Sequence, residues 1–266
     1  MSIAIITGAS SGIGKEFIKQ MKEKLGVNDF WLVARRREKM EEISKTLSLN
    51  AKIISVDLTQ KEGIDAIRIA LEEEKPSVKY LINAAGFGKF GAFDEISEST
   101  VEDMIDLNVK ALVLITHMTI PYMERGGRIV EMGSGSCFTP LPYFNTYASS
   151  KAFVLHYTKA LNYEIRDRGI RATCFCPGWV ETEFLGVAES EPVTMPKKTK
   201  PLLKVEKVVS KCVRAMIKGK RMCVTNWYTK MQHVMFKMLP DSTLSRLWLG
   251  MLKHPEKEKS NGKTQF

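Results

Sequence analysis

The sequence lacks the marks of several protein classes. Its 266 residues contain no uninterrupted apolar run of the about 18 residues that a membrane-spanning helix needs, and the apolar start at residues 1–6 is too short for a signal peptide. The five cysteines are an odd number in a long chain, which argues against a disulfide framework. Cys174 and Cys176 have no second Cys or His pair to complete a metal site. We therefore expect a cytoplasmic protein with reduced thiols and no bound metal.

Nothing in the composition indicates a repetitive or disordered chain. With 10 Pro, 18 Gly, 44% hydrophobic and 26% charged residues, the sequence is not collagen-like, of low complexity or wholly disordered. No repeat of fixed period and no Gly/Ser-rich or Pro-rich linker divides it. A single globular α/β domain is expected at this length.

Positive charge is concentrated in one stretch. Residues 195–221 contain eight Lys and two Arg against one Glu, so they carry +9 of the net charge of +10. Such a stretch can bind nucleic acid, anionic lipid or a phosphate-bearing ligand, although most are solvated faces. No nucleic-acid-binding motif accompanies it, so we expect no nucleic-acid partner.

Short apolar runs alternate with amphipathic stretches along most of the chain. Six runs are short enough for buried strands: residues 3–7, 30–34, 53–56, 80–83, 128–131 and 172–175, with a last strand at 222–225. Apolar residues at helical spacing lie between them, as at Val101, Ile105, Val109 and Leu112. This alternation predicts a doubly wound parallel sheet.

Two further helical patterns follow the last strand. We expect a catalytic domain over residues 1–225, a helical extension over 226–252, and a polar, disordered tail over 253–266. The apolar side of the extension would cover a pocket, form a dimer contact or lie on a membrane, and the first two are favoured. That side comprises Tyr228, Met231, Met235, Leu244, Leu247 and Trp248.

A cluster of glycines follows the first predicted strand and precedes the first predicted helix. Gly8, Gly12 and Gly14 would let the backbone approach a pyrophosphate, to which the helix N-terminus offers free N–H groups. Glycines alone also serve tight turns, but this position favours a dinucleotide site.

The end of the second predicted strand bears on which dinucleotide binds. Arg35 and Arg36 follow it, and no acid precedes Glu38. Arginine accommodates a 2′-phosphate, whereas a carboxylate binds the 2′-hydroxyl of NAD(H). The alternative is that these arginines are simply solvated at the start of a helix, but cations at a helix N-terminus oppose the helix dipole. We therefore expect NADP(H) as the cofactor.

Tyr147 and Lys151 lie four residues apart and hence on one helical face. A nearby ammonium stabilises phenolate and lowers the tyrosine pKa, which suits a general acid/base acting on an alcohol or ketone. Alone, such a pair is usually an ordinary surface pair. Ser134, thirteen residues upstream at a strand end, makes the chemical interpretation stronger.

Taken together, these motifs resemble the short-chain dehydrogenase/reductase family over roughly residues 3–225. The matching motifs are Thr7-Gly-x-x-x-Gly-x-Gly14, Asn83-Ala-Ala-Gly86, Asn108 in Leu-Asn-Val-Lys, Ser134 with Tyr147-x-x-x-Lys151, and Pro177-Gly178 followed by Thr182. The resemblance implies a Rossmann-type sheet of about seven strands with helices on both faces. It also implies an oxidoreductase that acts on CH–OH groups. Ala84 replaces the second Asn of the family motif, and Gly135 separates Ser134 from Ser136.

The resemblance implies roles for individual residues. Tyr147 would supply the proton, Ser134 would polarise the carbonyl, Lys151 would bind the nicotinamide ribose, and Asn108 would hold a water that connects Lys151 to solvent. The implied catalytic residues are Asn108, Ser134, Tyr147 and Lys151. The implied cofactor-binding residues are Gly8, Ser10, Ser11, Gly12, Ile13, Gly14, Arg35, Arg36, Asp57, Leu58, Asn83, Ala84, Gly86, Tyr147, Lys151, Pro177, Gly178, Val180 and Thr182.

Apolar residues near these motifs indicate a hydrophobic substrate. We expect contacts from Ser134, Ser136, Phe138, Tyr143, Phe144, Trp179 and Phe184, although several of these side chains could instead belong to the core. A bulky ketone or secondary alcohol, such as a hydroxysteroid in lipid metabolism, is favoured. The alternatives are a 3-oxoacyl thioester reductase and a non-enzymatic NADP-sensing binding protein. A homodimer through the helices near residues 101–118 and 148–166 is implied by the resemblance.

Overall fold

A computed structural model describes residues 2–188, 202–236 and 238–252. The seven strands are β1 Ser2–Thr7, β2 Asp29–Ala34, β3 Asn50–Ser55, β4 Ser77–Asn83, β5 Met123–Met132, β6 Arg171–Cys176 and β7 Met222–Val224. The helices are α1 Gly12–Leu25, α2 Arg37–Thr46, α3 Lys61–Glu74, α4 Glu98–Ile105, α5 Leu112–Thr119, α6 Asn145–Glu164, α7 Phe184–Ala188, α8 Val205–Ile217, α9 Trp227–Phe236 and α10 Asp241–Met251.

All seven strands form one parallel sheet in the order β3-β2-β1-β4-β5-β6-β7. The order reverses between β1 and β4, where the carboxyl ends of the strands leave a crevice. This sheet confirms the predicted Rossmann-type fold, and α9 and α10 after β7 confirm the C-terminal helices.

Helices cover the sheet on both faces, which explains why the strands read as continuous apolar runs. On one face, α1, α2 and α8 bury Phe17, Met40 and Val209 against the strands. On the other, α3, α5 and α6 bury Ile67, Ile115 and Leu161. The sheet therefore forms a rigid base for the groups at its carboxyl edge.

One stretch of helix, Glu98–Tyr122, is long and apolar enough by composition alone to cross a membrane. About half of its most apolar window (44%) is buried inside the protein. Met104, Ala111 and Ile115 belong to the core, as in the central helix of a soluble fold. The helix is interrupted by a π-helical turn at Asp106–Ala111.

Several sequence-based expectations concern residues outside the described ranges. The polar tail at 253–266 is one of them, and so are Lys197, Lys198 and Lys200 of the basic stretch. Residues 202–221 of that stretch are described, and most of them form α8.

Candidate active site

The turn between β1 and α1 requires glycine at three positions. Gly8 and Gly12 have φ of +66° and +49°. A Cβ on Gly14 would lie 2.2 Å from the Gly8 carbonyl oxygen. Ser11 caps α1 without a side-chain hydrogen bond, and the first helical turn has no acidic residue. This glycine-rich turn at a helix N-terminus fits a dinucleotide pyrophosphate.

Arg36 lies directly beside this turn. Its Nε and Nη2 atoms donate hydrogen bonds of 3.2 Å each to Ser10 Oγ, and its Nη1 is 2.9 Å from the carboxylate of Glu183. Arg35 is the more exposed of the two arginines and lies 3.6 Å from Asp57. The structure thus brings Arg36 to the candidate phosphate site and leaves Arg35 at its solvent edge.

Other cofactor residues named by the resemblance lie at neighbouring strand ends. Asn83 ends β4 in the buried interior, and the backbone of Ala85 donates to Thr7 Oγ1 at 3.1 Å. After β6, the Pro177 carbonyl accepts from Gly135 N at 2.8 Å. Thr182 lies opposite Gly12. Ile13, Leu58, Ala84, Gly178 and Val180 are buried or half-buried in the segments between them.

Tyr147 and Lys151 project from α6 into the interior. Both are buried, with Lys151 only 1% exposed. Lys151 Nζ donates to the carbonyl of Met132 at 2.8 Å and lies 5.6 Å from the centre of the Tyr147 ring. Ser134, two residues beyond β5, lies near Tyr147, where its hydroxyl favours ionisation of the phenol. The hydroxyl, phenol and ammonium expected from the sequence therefore meet at the carboxyl edge of the sheet.

Asn108 is held in the π-helical turn beside Lys151. Its Nδ2 donates to the Phe87 carbonyl at 2.8 Å, and its Oδ1 accepts from Phe87 N at 3.1 Å. A Cβ on Gly86 would lie 2.7 Å from Asn108 Oδ1 and 3.2 Å from Lys151 Nζ. Only glycine therefore leaves room for this approach, and π-helical turns are frequent at functional sites.

Burial shifts the pKa of both groups on α6 toward their neutral forms. It raises the pKa of the Tyr147 phenol well above its usual range, against the opposing hydrogen bond from Ser134. It lowers the pKa of Lys151 to about 8. The expected lowering of the Tyr147 pKa by Lys151 is not found in the protein alone, because desolvation is the larger effect.

Aromatic rings surround Tyr147. The Phe144 ring is 4.4 Å from the Tyr147 ring and stacks on Phe90 at 3.9 Å. Phe184 of α7 lies 5.4 Å from Tyr147, and Trp179 lies 6.2 Å from Phe90. These rings form one apolar cluster with Trp248 and Leu252 of the C-terminal end. Four of the residues expected at the substrate belong to or pack against this cluster, namely Tyr143, Phe144, Trp179 and Phe184. Phe144 and Phe184 lie directly against the Tyr147 ring.

Phe138 and Ser136 were also expected at the substrate, but neither belongs to this aromatic cluster. Phe138 packs at 4.1 Å against the His233 ring and belongs to a separate cluster around Leu155. Ser136 donates its backbone N–H to Ser134 Oγ at 3.2 Å, and its own buried hydroxyl has no hydrogen-bond partner among the described residues. Tyr143 has a φ of +62°, a strained conformation for a residue with a side chain.

Three residues near the site were missed by the sequence analysis. Phe90 is buried in the aromatic cluster, Glu183 pairs with Arg36, and Glu131 is a buried acid on β5. Trp248, which the sequence analysis placed on the apolar side of the extension, donates its Nε1–H to the carbonyl of Pro142 at 2.8 Å and so fixes α10 against the site. The glycine-rich run after Asn83 is the one local signal that could have indicated Phe90.

The chain matches a protein-family model and several curated proteins. The model for short chain dehydrogenases matches residues 2–192 of the chain. An uncharacterized oxidoreductase of Staphylococcus epidermidis is 30% identical over 182 residues, which are 68% of this chain and 78% of the relative. The inactive hydroxysteroid dehydrogenase-like protein 1 of Homo sapiens is 32% identical over 190 residues, 68% of this chain and 56% of that relative.

Solved structures show the same fold over the whole chain. A short-chain dehydrogenase from Sphingobium yanoikuyae in complex with NADPH superposes with a TM-score of 0.77 and 24% identity, covering 100% of this chain and 98% of that one. The sheet order, the glycine turn and the matched family model agree with one another. The chain therefore belongs to the short-chain dehydrogenase family.

Proposed function

We propose that the protein is an NADP(H)-dependent oxidoreductase that interconverts a ketone and a secondary alcohol on a bulky hydrophobic substrate. The proposal rests on the proximity of the half-buried Ser134 to the buried Tyr147, Lys151 and Asn108. A protein that only sensed the cofactor would have no chemical need for all four groups. The human relative named inactive makes the non-enzymatic alternative worth testing directly.

Bound nicotinamide supplies a hydride to a carbonyl carbon in reduction and accepts one in oxidation. Tyr147 donates the proton to the carbonyl oxygen, because its raised pKa keeps the phenol protonated at neutral pH. Ser134 donates a hydrogen bond to the same oxygen and fixes its position beside the phenol. In oxidation the phenolate form of Tyr147 accepts the proton from the alcohol.

Lys151 and Asn108 maintain the proton supply. The ammonium of Lys151 favours phenolate as the proton leaves Tyr147, since an opposite charge stabilises the charged form. Asn108 spans the Phe87 backbone and Ser150, with its Nδ2 at 3.2 Å from Ser150 Oγ. These contacts hold Asn108 rigidly, so that its amide can position a water that reprotonates Lys151.

The glycine turn and Arg36 support NADP(H) as the cofactor. Arg36 presents a guanidinium at the turn, where a 2′-phosphate would find a bidentate donor. Asp57 directs its Oδ1 to Thr59, accepting from its backbone N–H at 3.0 Å and from its hydroxyl at 2.9 Å. That carboxylate is therefore already engaged within its own loop.

The aromatic cluster supports a hydrophobic substrate. Phe144, Trp179 and Phe184 give an apolar lining beside the phenol, with few polar groups to bind a sugar. A hydroxysteroid-like ring system is favoured over a 3-oxoacyl thioester, because the described part of the basic stretch lies largely on α8, which packs against α1.

The outer faces of α4 and α6 support a homodimer. A groove of about 440 Å³ lies between them, lined by residues such as Ile105, Val109 and Phe153. Ile105 and Phe153 are each 45% exposed and line the same groove, and apolar side chains that lie together on a surface often mark a protein interface. A second copy of the chain would cover this face.

An exposed apolar stripe on α9 supports peripheral contact of a cytoplasmic protein with a membrane. Trp227, Met231 and Val234 recur at helical spacing on α9 and are exposed, Trp227 by 74%, and Met238 just after the helix is exposed as well. Trp248 and Leu244 of α10 are buried, although Leu247 and Met251 of that helix are exposed. We therefore assign the covering role to α10 and the interfacial role to α9.

The experiment is a substrate panel. Steroid ketones, 3-oxoacyl thioesters and small ketones are incubated with NADPH, and its oxidation is followed optically. Turnover highest with bulky hydrophobic ketones supports the proposal. Turnover highest with acyl thioesters favours the alternative enzyme, and tight NADPH binding without turnover on any carbonyl indicates a sensor.

A further inference from the structure

Glu131 is a fully buried acid that the proposed mechanism does not use. It lies on β5 directly before Met132, whose carbonyl accepts the hydrogen bond from Lys151. Its Oε1 lies 2.8 Å from Thr116 Oγ1, and its Oε2 accepts from Asn83 Nδ2 at 3.1 Å. Thr116 Oγ1 also lies 2.8 Å from Asn83 Nδ2 and 2.8 Å from the Leu112 carbonyl oxygen.

Counting hydrogens in this network shows that one is missing. Thr116 Oγ1 makes two short oxygen–oxygen contacts, to the Leu112 carbonyl and to Glu131, but its hydroxyl has one hydrogen. If Glu131 were ionised, one contact would join two oxygens without a hydrogen between them. A proton on Glu131 Oε1 supplies the second hydrogen, and every contact then has one donor and one acceptor.

Reversing the Asn83 amide does not remove the need for this proton. The reversed amide would set Oδ1 against the Glu131 carboxyl group, and two oxygens without a hydrogen repel each other. We propose that Glu131 is a positioning residue that carries a proton in the resting protein and, through it, fixes Asn83 at the carboxyl end of β4.

Asn83 connects this network to the candidate active site. The chain continues from Asn83 to Gly86, which lies against Asn108 and Lys151 with no room for a Cβ. Ala85 in the same segment is tied to β1 by its bond to Thr7. A change at Glu131 is therefore transmitted to the groups around Lys151 by a short stretch of closely packed backbone.

Both charged and neutral groups face the Glu131 carboxyl group. From α6 these are Lys151 and Tyr157, and from β6 the residue in register is Cys174. The neighbours on β4 and α5, Asn83 and Thr116, are neutral. Burial raises the pKa of Glu131 to about 7, while Thr116, Asn83 and the Lys151 ammonium oppose the rise. Once ionised, Glu131 is a counter-charge for Lys151.

The test compares the melting temperatures of the cofactor-free wild type and Glu131→Gln. Gln donates from its amide to Thr116 as the protonated acid does. The folded-state pKa of Glu131 lies above the unfolded value of about 4.3, so the contribution of this group to stability is lost as the pH rises from there through about 7. We expect the two melting temperatures to be closest at about pH 4, below that unfolded value, and the variant to be more stable by several degrees at about pH 8.

Glu124→Gln is the matched control on the same strand. Lys79, Ser2 and Ser77 hold the pKa of Glu124 below its usual range by hydrogen bonding, so its contribution is present above the unfolded pKa and lost as the pH falls. This control should therefore melt below the wild type at about pH 8. A Glu131→Gln difference that is independent of pH would overturn the proposal. So would a carboxyl titration of wild-type Glu131, followed by isotope-edited infrared spectroscopy, with a midpoint below about 5, even if the variant failed to fold.

The consequence for activity rests on the proposed function. Glu131→Gln should match the wild-type kcat/KM at about pH 6, where the acid is protonated, and fall severalfold below it at about pH 8.5, where Lys151 lacks its counter-charge. A merely structural role would lower activity equally at both values. If the wild type turned over no carbonyl, the proposed function would fail, while the melting temperatures would still decide the protonation of Glu131.

Discussion

Arg36 forms an ion pair of 2.9 Å with Glu183, which joins the end of β2 to the residue before α7. Lys39 reaches the other carboxylate oxygen of Glu183 at 3.4 Å. Phe184, the next residue, packs against the Tyr147 ring. The cation expected to select the cofactor is thus connected through the Glu183 carboxylate to the helix that packs against the Tyr147 phenol.

Arg36→Ala should remove most of the preference for NADPH. We expect wild-type kcat/KM to be at least about tenfold higher with NADPH than with NADH, because the guanidinium pairs with the 2′-phosphate. Arg37→Ala is the control, since Arg37 lies 3.5 Å from Glu41 within α2. Equal wild-type values with both cofactors, or an unchanged preference in Arg36→Ala, would contradict the assignment.

Glu183→Gln should tighten NADPH binding several-fold. Its carboxylate competes for Arg36, and the Arg36 contact also holds the Glu183 pKa below its usual range. Removing the charge leaves the guanidinium free for phosphate. The dissociation constant is measured by NADPH fluorescence, with Glu181→Gln as the control in the same segment. Weaker binding by Glu183→Gln would show that the ion pair stabilises the site instead of competing for it.

Activity should fall as the pH rises through about 8. Burial lowers the pKa of Lys151 to about 8, so its ammonium is lost above that pH. The kcat/KM for NADPH-dependent reduction is measured from about pH 6 to about pH 10. Lys151→Arg should be slower at every pH but should lack this alkaline decline, because the guanidinium stays charged. The same decline in both proteins would assign it to another group.

Replacing Trp248 and replacing Trp227 by alanine should change different properties of the protein. Trp248→Ala removes a buried indole and its bond to Pro142, which should lower the free energy of unfolding by about 3–5 kcal/mol and raise KM for bulky substrates. Trp227→Ala, at an exposed site, should change stability by less than about 0.5 kcal/mol but reduce sedimentation with anionic vesicles. Urea denaturation and vesicle sedimentation measure these effects. Equal vesicle binding by wild type and Trp227→Ala would contradict the interfacial role of α9.

Much of the fold could be predicted because parallel strands buried on both faces leave a clear signal. The apolar run at residues 3–7 lies within β1, and the glycines after it lie in the turn to α1. The juxtaposition of Ser134 with Tyr147 was also predictable, since a strand end and a helix face converge at one edge of the sheet.

Other features depend on tertiary contacts that local patterns do not encode. Helical spacing predicts a regular helix around Asn108 and carries no sign of the π-helical turn. Glu131 interrupts an apolar strand. Its hydrogen-bond partners, Asn83 and Thr116, are 48 and 15 residues away in sequence, so no local pattern indicates them. The partner of Phe138 is on α9, which no spacing argument could place there.

The most direct test of the central claim is the effect of Tyr147→Phe on turnover and cofactor binding. This change removes the proton donor and leaves the remaining site in place, so kcat for reduction of a bulky ketone should fall by about 10²- to 10⁴-fold or more. The dissociation constant for NADPH should stay nearly unchanged. Tyr163→Phe, on the exposed end of α6, is the control and should retain full activity. Near-normal turnover by Tyr147→Phe would contradict the account.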